Sequence, residues 1–323
     1  MLSEQRSNTG QLVEGGILAG ITVILTLLGI YIPILGMFIT FVRAIPIMLV
    51  VIRHGIKTGI IAASVAVILV GMIAGPLKAI SVLIGTAPLA VILGWCFREQ
   101  KSPAVTLIYG SIIDIITKLA IIGIAMVFLN INIFDSMISP IREAMPISLE
   151  LQRKMGADQL TLDNLTKLME QTQAVVVLLL PAIFILGAVG ELYIVYRVAK
   201  VVLAKLNYQS NDILPFRHWD LPKGFAYGWV LSFAAWKAGS YFFGVGSLSY
   251  KFGSNSFMIF SAALFLQGLA VISYYFNQHQ VAKPFRIMAV FLIFLTGVIP
   301  MLLVVYGGIY DMFFNFRKLE RKG

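Results

Sequence analysis

Long apolar stretches separated by short polar connections dominate the chain. Nine of them can be traced, and most are close to the roughly 20 residues that a helix needs to cross the hydrocarbon core of a bilayer. They lie at about 12–32, 35–53, 57–75, 78–97, 103–130, 173–206, 222–245, 256–277 and 285–308. The pattern predicts an all-α fold, a polytopic transmembrane helical bundle of about eight or nine hydrophobic helices.

The second stretch is the least regular. It contains Pro33, Gly36, Arg43 and Pro46, so we expect an irregular or re-entrant first half and a short helix from Pro46 to His54. Nine crossings that start inside would leave the basic C-terminus outside, against the usual charge rule. Two alternatives remain open at this point: the second stretch does not cross, or Pro300 splits the last one into a hairpin, and we favour a cytoplasmic C-terminus.

Basic residues mark alternate connections, as a consistent topology requires. They are Arg53/Lys57, Arg98/Lys101, the group Arg197, Lys200, Lys205, Arg217 and Lys223, and Lys283/Arg286. Cytoplasmic ends carry this excess, so the N-terminus is predicted inside. The connection 131–172 then lies outside, where its six acidic and four basic residues fit, and Ile147 to Glu170 has the spacing of amphipathic helices.

Composition excludes a water-soluble fold, because 59% of the residues are hydrophobic and 12% are charged, against roughly 45–50% and about 25% in soluble domains. The net charge of +10 comes from single residues at the ends of apolar segments. It therefore indicates membrane topology and no nucleic-acid partner. Cys96 is the lone cysteine and the three histidines have no ligand spacing, so we predict no metal site.

Motifs that carry chemistry are missing from the sequence. It has no phosphate-binding Gly-x-x-x-x-Gly-Lys-Ser/Thr loop, no His-Glu-x-x-His, no Gly-x-Ser-x-Gly and no Cys-x-x-Cys. We therefore predict that the protein is not an enzyme and uses no cofactor.

Ionisable residues inside apolar stretches are costly and often functional. Asp114 and Lys118 share one helical face, Glu191 lies about two turns from a basic helix end, and Lys237 stands among aromatic residues. Each is a candidate ligand-binding residue, and so is Arg43 in the second stretch. The alternatives are an ion pair that fixes helix packing for Asp114 and Lys118, pairing with a neighbouring cation for Glu191, and an interfacial or cation–π anchor for Lys237.

Small residues recur four apart in the first stretch, as Gly15/Ala19 and Gly16/Gly20. Such a stripe lets another helix approach closely. It predicts a docking face for a partner helix, with packing inside the same chain as the alternative.

Four segments resemble the YybS-like family, predicted bacterial membrane proteins of unassigned function. They are Leu12-Val-Glu-Gly-Gly-Ile-Leu-Ala-Gly, Tyr31-Ile-Pro-Ile-Leu-Gly, Ile45-Pro-Ile-Met-Leu-Val-Val-Ile-Arg-His-Gly-Ile-Lys-Thr-Gly and Gly308-Ile-Tyr-Asp-Met-Phe-Phe-Asn-Phe-Arg-Lys. The resemblance covers nearly the whole chain.

The part up to about residue 206 is also similar to the substrate-binding S components of energy-coupling-factor vitamin transporters, in its stripe, its irregular second segment and its six-segment count. This resemblance implies that the stripe docks on a coupling subunit and that residues from Tyr31 to Arg43 lie near a solute cavity. The chain departs from it by having Gly where such stripes usually have Ala, by the long connection 131–172 and by about three further helices.

These observations lead to two domains: an S-component-like bundle at 1–206, which includes the connection 131–172, and a transmembrane extension at 207–323. The functional hypothesis is a transporter-like subunit of the bacterial cytoplasmic membrane that binds a small solute and has no ATPase of its own. Its expected partners are the lipid bilayer and energy-coupling ATPase and transmembrane subunits.

The alternative function is that of a structural or envelope-associated interaction protein. A third possibility is an enzyme that acts on lipid-linked substrates, in which Arg43, Asp114 and Glu191 would converge. It ranks last because no nucleophile–base pair supports it.

Overall fold

The computed structural model describes residues 2–128, 130, 132–208, 211 and 213–319. In these ranges the regular structure is helical, which confirms the all-α prediction. The α-helices are α1 Leu2–Tyr31, α2 Pro33–Ile39, α3 Ile45–His54, α4 Ile56–Ala74, α5 Pro76–Ser81, α6 Ala87–Arg98, α7 Pro103–Phe128, α8 Ile133–Lys154, α9 Gln159–Lys205, α10 Gly224–Ala238, α11 Leu248–Gln278, α12 Lys283–Leu295 and α13 Val298–Phe314. Short π-helical turns at Val82–Thr86 and Gly239–Phe243 follow α5 and α10, and a 3₁₀ turn covers Phe216–His218.

Among the residues that the structure describes, six stretches are long and apolar enough to cross a membrane, which confirms a polytopic fold. They are Thr9–Tyr31, Ile56–Ala74, Pro76–Arg98, Pro103–Phe128, Gln159–Lys205 and Leu248–Gln278. Helices α12 and α13 together would form a seventh candidate span if they are counted as one, although their axes differ by 116°. The predicted eight or nine helices also counted the run 222–245 and the segment 35–53, whose apolar helix α3 has only 10 residues.

The last hydrophobic run is broken, but not at Pro300. The break lies at Thr296 and Gly297, and Gly297 has a φ of +93°, which glycine adopts without steric cost. Pro300 belongs to the first turn of α13, where a missing backbone N–H costs little. The break therefore lies before Pro300, and not at Pro300 as one of the two alternatives from the sequence would have it.

The chain divides into two compact units. Unit 1 comprises Met1–Ser136 and Gly187–Ile213, and unit 2 comprises Met137–Leu186 and Leu214–Gly323. The units differ from the predicted domains 1–206 and 207–323 in two parts, because 137–186 belongs with the C-terminal helices and 207–213 belongs with unit 1.

Small residues allow the helices of unit 1 to pack closely. One apolar cluster joins α1, α3, α4 and α6 and includes Ala19, Val50, Ala66 and Ala90, which are fully buried. A second cluster packs Met48, Leu93 and Leu192 of α3, α6 and α9. Where α6 crosses α3, a Cβ atom on Gly94 would lie 2.9 Å from the Met48 carbonyl oxygen, so the crossing requires glycine.

The connection 131–172 contains α8 and the first part of α9, which confirms its helical prediction. A turn at Gly156, with a φ of +87°, ends α8. Asp158 then caps α9, because its Oδ1 accepts the Thr161 backbone N–H at 3.1 Å. Hydrogen bonds from the Thr161 side chain and backbone lower the pKa of Asp158 below its ordinary value.

Candidate functional site

The second hydrophobic segment folds as helix, break and helix along α1. At its start α2 lies against the last turns of α1, where a Cβ atom on Gly36 would be 2.6 Å from the Gly29 carbonyl oxygen. At its end His54 Nε2 lies 2.8 Å from Glu14 Oε2, and Arg53 pairs with the same carboxylate. The segment therefore returns along α1 as far as Glu14, near the start of the apolar stretch of α1, and Arg53 lies at the same end as Glu14.

Arg43 occupies the break between α2 and α3, within the turn Thr40–Ala44. Its guanidinium group is half-buried and interacts electrostatically with Glu191 and Asp114. Across the residues that the structure describes, the Arg43 side chain forms neither a hydrogen bond nor an ion-pair contact, although its backbone N–H donates to the Ile39 carbonyl oxygen at 2.9 Å. It is thus a cation inside an apolar bundle whose donors are unused by the protein.

Lys118 joins the two neighbouring carboxylates. Its Nζ pairs with Asp114, four residues earlier on α7, and lies 2.8 Å from Glu191 Oε2 on α9. Asp114 is buried, whereas Lys118 and Glu191 are half-buried. Lys118 therefore forms both pairs that the sequence analysis gave as alternatives to ligand binding. It pairs with Asp114 within α7, and it is the cation that Glu191 receives from a neighbouring helix.

The four charges lie at a similar depth. We define the basic end of unit 1 as the end that carries Arg53, Arg98 and Tyr208. Arg43 is 11 residues from His54 and Asp114 is 11 residues from Pro103, which at 1.5 Å per helical residue is about 15–18 Å from this end. That distance is about half of the roughly 30 Å hydrocarbon core, so the cluster belongs near the middle of the bundle.

Lys237, the fifth predicted ligand-binding residue, lies in unit 2. It is exposed, and its Nζ is 4.9 Å from the ring centroid of Trp236 and 5.7 Å from that of Phe233. The structure thus gives Lys237 the cation–π contacts of the alternative interpretation. It also lines an open cavity of about 650 Å³ with Ser240 and Tyr241.

The small-residue stripe of α1 divides into two faces. Gly15 and Ala19 are buried, and a Cβ atom on Gly15 would be 3.8 Å from Thr58 and 3.9 Å from Ala62. Gly16 and Gly20 have open space where a Cβ atom would lie. Only the Gly16/Gly20 face is therefore available to a partner helix.

Unit 2 contains a buried polar network that the sequence did not predict. Arg317 and Asp311 are both at most 1% exposed; Arg317 Nε donates to Asp311 Oδ2 at 2.9 Å, and Nη1 donates to the Arg217 carbonyl oxygen at 2.8 Å. The Gln267 amide donates to Asp220 at 3.1 Å. Arg317 belongs to the basic C-terminus that the sequence analysis treated only as topology charge. The available signal was Asp311, an acidic residue just after the last apolar stretch and six residues before Arg317.

Comparison with known proteins places the chain in a family. Residues 20–312 match the family described as "Predicted membrane protein (DUF2232)". The chain belongs to this family. It is also 28% identical over 313 residues to the "Uncharacterized protein YybS" of Bacillus subtilis (strain 168), which covers 96% of this chain and 98% of that protein. No solved structure matches the chain.

These matches confirm the resemblance to the YybS-like family and establish the chain as a predicted membrane protein. Its several candidate spans agree with a multi-pass membrane location. The similarity to energy-coupling-factor S components is not shown by the comparisons and stays a prediction.

Proposed function

We propose that the protein binds a small solute with an anionic group at the site formed by Arg43, Asp114, Lys118 and Glu191. The observation that carries the proposal is the unpartnered guanidinium group of Arg43 in the break of a discontinuous helix. Irregular backbone at membrane depth is tolerated where protein covers it or where it lines a water-filled cavity. Transporter sites near the bilayer midplane are often built from such broken helices.

Unused side-chain donors favour Arg43 as the anion-binding group. Lys118 contacts both Asp114 and Glu191, and Arg43 balances the remaining negative charge from a distance, so its guanidinium N–H groups stay available for a ligand. A carboxylate or phosphate group would accept them in charge-assisted hydrogen bonds, which guanidinium groups form with particular geometric fit. The proposal assigns the protein binding and no chemical reaction.

Within this proposal the protein is a transporter-like subunit of the bacterial cytoplasmic membrane, with its N-terminus inside. The sequence encodes no recognisable nucleotide-binding motif, so energy for uptake would come from ATPase and transmembrane partner subunits. The open Gly16/Gly20 face of α1 is the surface that we assign to such a partner.

The experiment is native mass spectrometry of the protein released gently from membranes of its host, recording retained small molecules and partner subunits. We expect a retained anionic solute in the unaltered protein and its loss in Arg43→Gln. Arg153→Gln, which removes an exposed guanidinium group on α8, is the matched control and should keep the solute. Release of lipid alone, or an Arg43→Gln protein that retains the solute, would contradict the proposal.

Lys118→Met separates ligand binding from packing. It leaves the buried Asp114 without its cation, so we expect a loss of unfolding free energy on the order of 2–3 kcal/mol, less than for a fully buried pair because Lys118 is half-buried. This loss should appear without solute. Arg43→Gln, in contrast, should reduce only the stabilisation that added solute gives in a thermal unfolding assay.

A further inference from the structure

A second cavity lies at the basic end of unit 1, away from the Arg43 site. It has a volume of about 170 Å³ and is lined by Ile52, Phe97, Leu203, Arg98, Gln100 and Tyr208. Three of these side chains are apolar and three are polar, and they come from the ends of α3, α6 and α9 and the turns that follow. The cavity therefore has an amphipathic lining and lies at the ends of the three helices.

Arg98 supplies a fixed positive charge to the cavity. Its Nη1 donates to the Val51 carbonyl oxygen at 3.2 Å, in the last turn of α3. Gly55, with a φ of +91°, lies beside this group: a Cβ atom there would be 3.0 Å from Arg98 Nη1. The guanidinium plane is thus held against the α3–α4 turn.

The remaining donors of Arg98 are available. Within the ranges that the structure describes, no carboxylate pairs with Arg98, and the one hydrogen bond of its side chain is that to the Val51 carbonyl oxygen. Guanidinium carries five N–H donors, so most of them can serve a ligand in the cavity. Tyr208 adds a hydroxyl group: it accepts from Arg53 Nε at 3.0 Å, which leaves its own proton to donate.

The position of the cavity resembles the headgroup level of a bilayer. Lys101 lies over the Trp95 ring, 5.3 Å from its centroid, and tryptophan and basic residues are enriched at the interface. Phosphate groups of lipids lie at the ends of spanning helices, and basic pockets between helices bind anionic headgroups.

We propose that this cavity binds a phosphate ester, with Arg98 and Tyr208 donating to phosphate oxygens and with Ile52, Phe97 and Leu203 contacting the attached carbon atoms. Two sources share this chemistry: the headgroup of an anionic phospholipid and a soluble phosphate ester. The interfacial position favours the lipid. The inference is independent of the proposed solute site, since the two share no residue.

The test uses the full-length protein in detergent, mixed with equal amounts of phosphatidylglycerol and phosphatidylcholine and analysed by native mass spectrometry. We expect preferential retention of phosphatidylglycerol and a loss of at least about tenfold in Arg98→Gln, because a charge-assisted hydrogen bond is removed. Lys101→Gln removes a charge from the same end without touching the cavity, and it should retain the lipid. Equal losses in both variants would overturn the proposal, because general surface charge would then explain binding.

Tyr208→Phe keeps the proposal testable if Arg98→Gln fails to fold. It should lower retention about threefold through loss of one hydrogen bond, and unchanged retention would overturn the assignment. Glycerol 3-phosphate distinguishes the sources: if it binds alone and displaces the lipid, the ligand is soluble; if it does neither while phosphatidylglycerol binds, the ligand is a lipid. Failure of both probes to bind would refute a phosphate site and leave the Arg43 proposal untouched.

Discussion

At the scale of single residues, the Arg317–Asp311 pair shows how a charge can be held inside an apolar unit. Both side chains are buried, and each isolated ion would lose several kcal/mol of hydration. Asp311 offsets this loss by accepting the backbone N–H of Arg317 at 3.2 Å as well as its Nε. The pair also ties the residues after α13 to the Arg217 carbonyl oxygen.

Removing one member of this pair should therefore destabilise unit 2 strongly. We expect Asp311→Asn to lower the unfolding free energy by about 3–5 kcal/mol, since Arg317 would remain buried without its counter-charge. Asp220→Asn is the control, because Asp220 is partly exposed and lies 3.6 Å from Arg317 Nη2. Thermal unfolding in detergent measures both; equal small shifts would mean that Asp311 is dispensable.

Local spacing explains which charges the sequence could place. Asp114 and Lys118 are four residues apart on one helix, so their pairing follows from helical geometry alone. The approach of Glu191 and Arg43 depends on how α9 and the break before α3 pack, and a single sequence gives no distances between such segments. Arg317 was misjudged for another reason: its burial depends on a turn after α13, where Asn315 has a φ of +48°.

At the scale of elements, glycine decides how closely α11 and α13 approach. A Cβ atom on Gly308 would lie 2.7 Å from the Leu264 carbonyl oxygen and 2.8 Å from the Gly268 nitrogen. These are backbone atoms, so the helices themselves would have to separate. Gly307, the neighbouring residue, has open space at its Cβ position.

Alanine substitutions at the two adjacent positions form a matched pair. Gly308→Ala should cost about 1–3 kcal/mol of unfolding free energy through overpacking, seen as a lower midpoint of thermal unfolding. Gly307→Ala makes the same chemical change in the same helix and should leave the midpoint unchanged or slightly raised. If both variants behaved alike, the close crossing of α11 and α13 would be refuted.

Breaks inside apolar stretches were predicted unevenly. Pro33 and Pro46 indicated a discontinuity before α3, because proline is tolerated in the first turn of a helix and not in its interior, and they lie in the first turns of α2 and α3. Gly36, by contrast, lies inside α2. A split of the last stretch at Pro300 was one of two alternatives left open, and the 116° bend between α12 and α13 lies instead at Gly297. Hydropathy indicates which residues prefer lipid, but it carries no information about the direction in which the helix axis runs.

At the scale of the whole molecule, composition and apolar run length were sufficient for the class of fold. Five of the nine runs coincide closely with single helices, α1, α4, α7, α9 and α11, because backbone groups in lipid must satisfy one another locally. The length of α9 was harder to predict from the sequence. It runs 47 residues from Gln159 to Lys205 and passes from the polar connection into the apolar run without interruption, since residues 172 and 173 contain no helix-breaking signal.

Orientation is the property of the whole molecule that labelling can decide. Helix α7 has 26 residues, about 39 Å at the helical rise, which exceeds the roughly 30 Å hydrocarbon core. Lys101 precedes it and Asn132 follows it, both within unit 1. These two positions should therefore lie on opposite sides of the membrane.

The substitutions Lys101→Cys and Asn132→Cys are each made in a Cys96→Ala background, which removes the buried native thiol. Intact cells are then treated with a membrane-impermeant maleimide. We expect the Asn132→Cys protein to be labelled and the Lys101→Cys protein to be protected. The physical reason is the basic charge around Lys101, which favours the cytoplasmic side. Labelling of both positions would show that α7 does not cross. Labelling of position 101 alone would keep the crossing but reverse the orientation, and the Arg98 cavity would then face the outer leaflet, where its anionic lipid would have to be found.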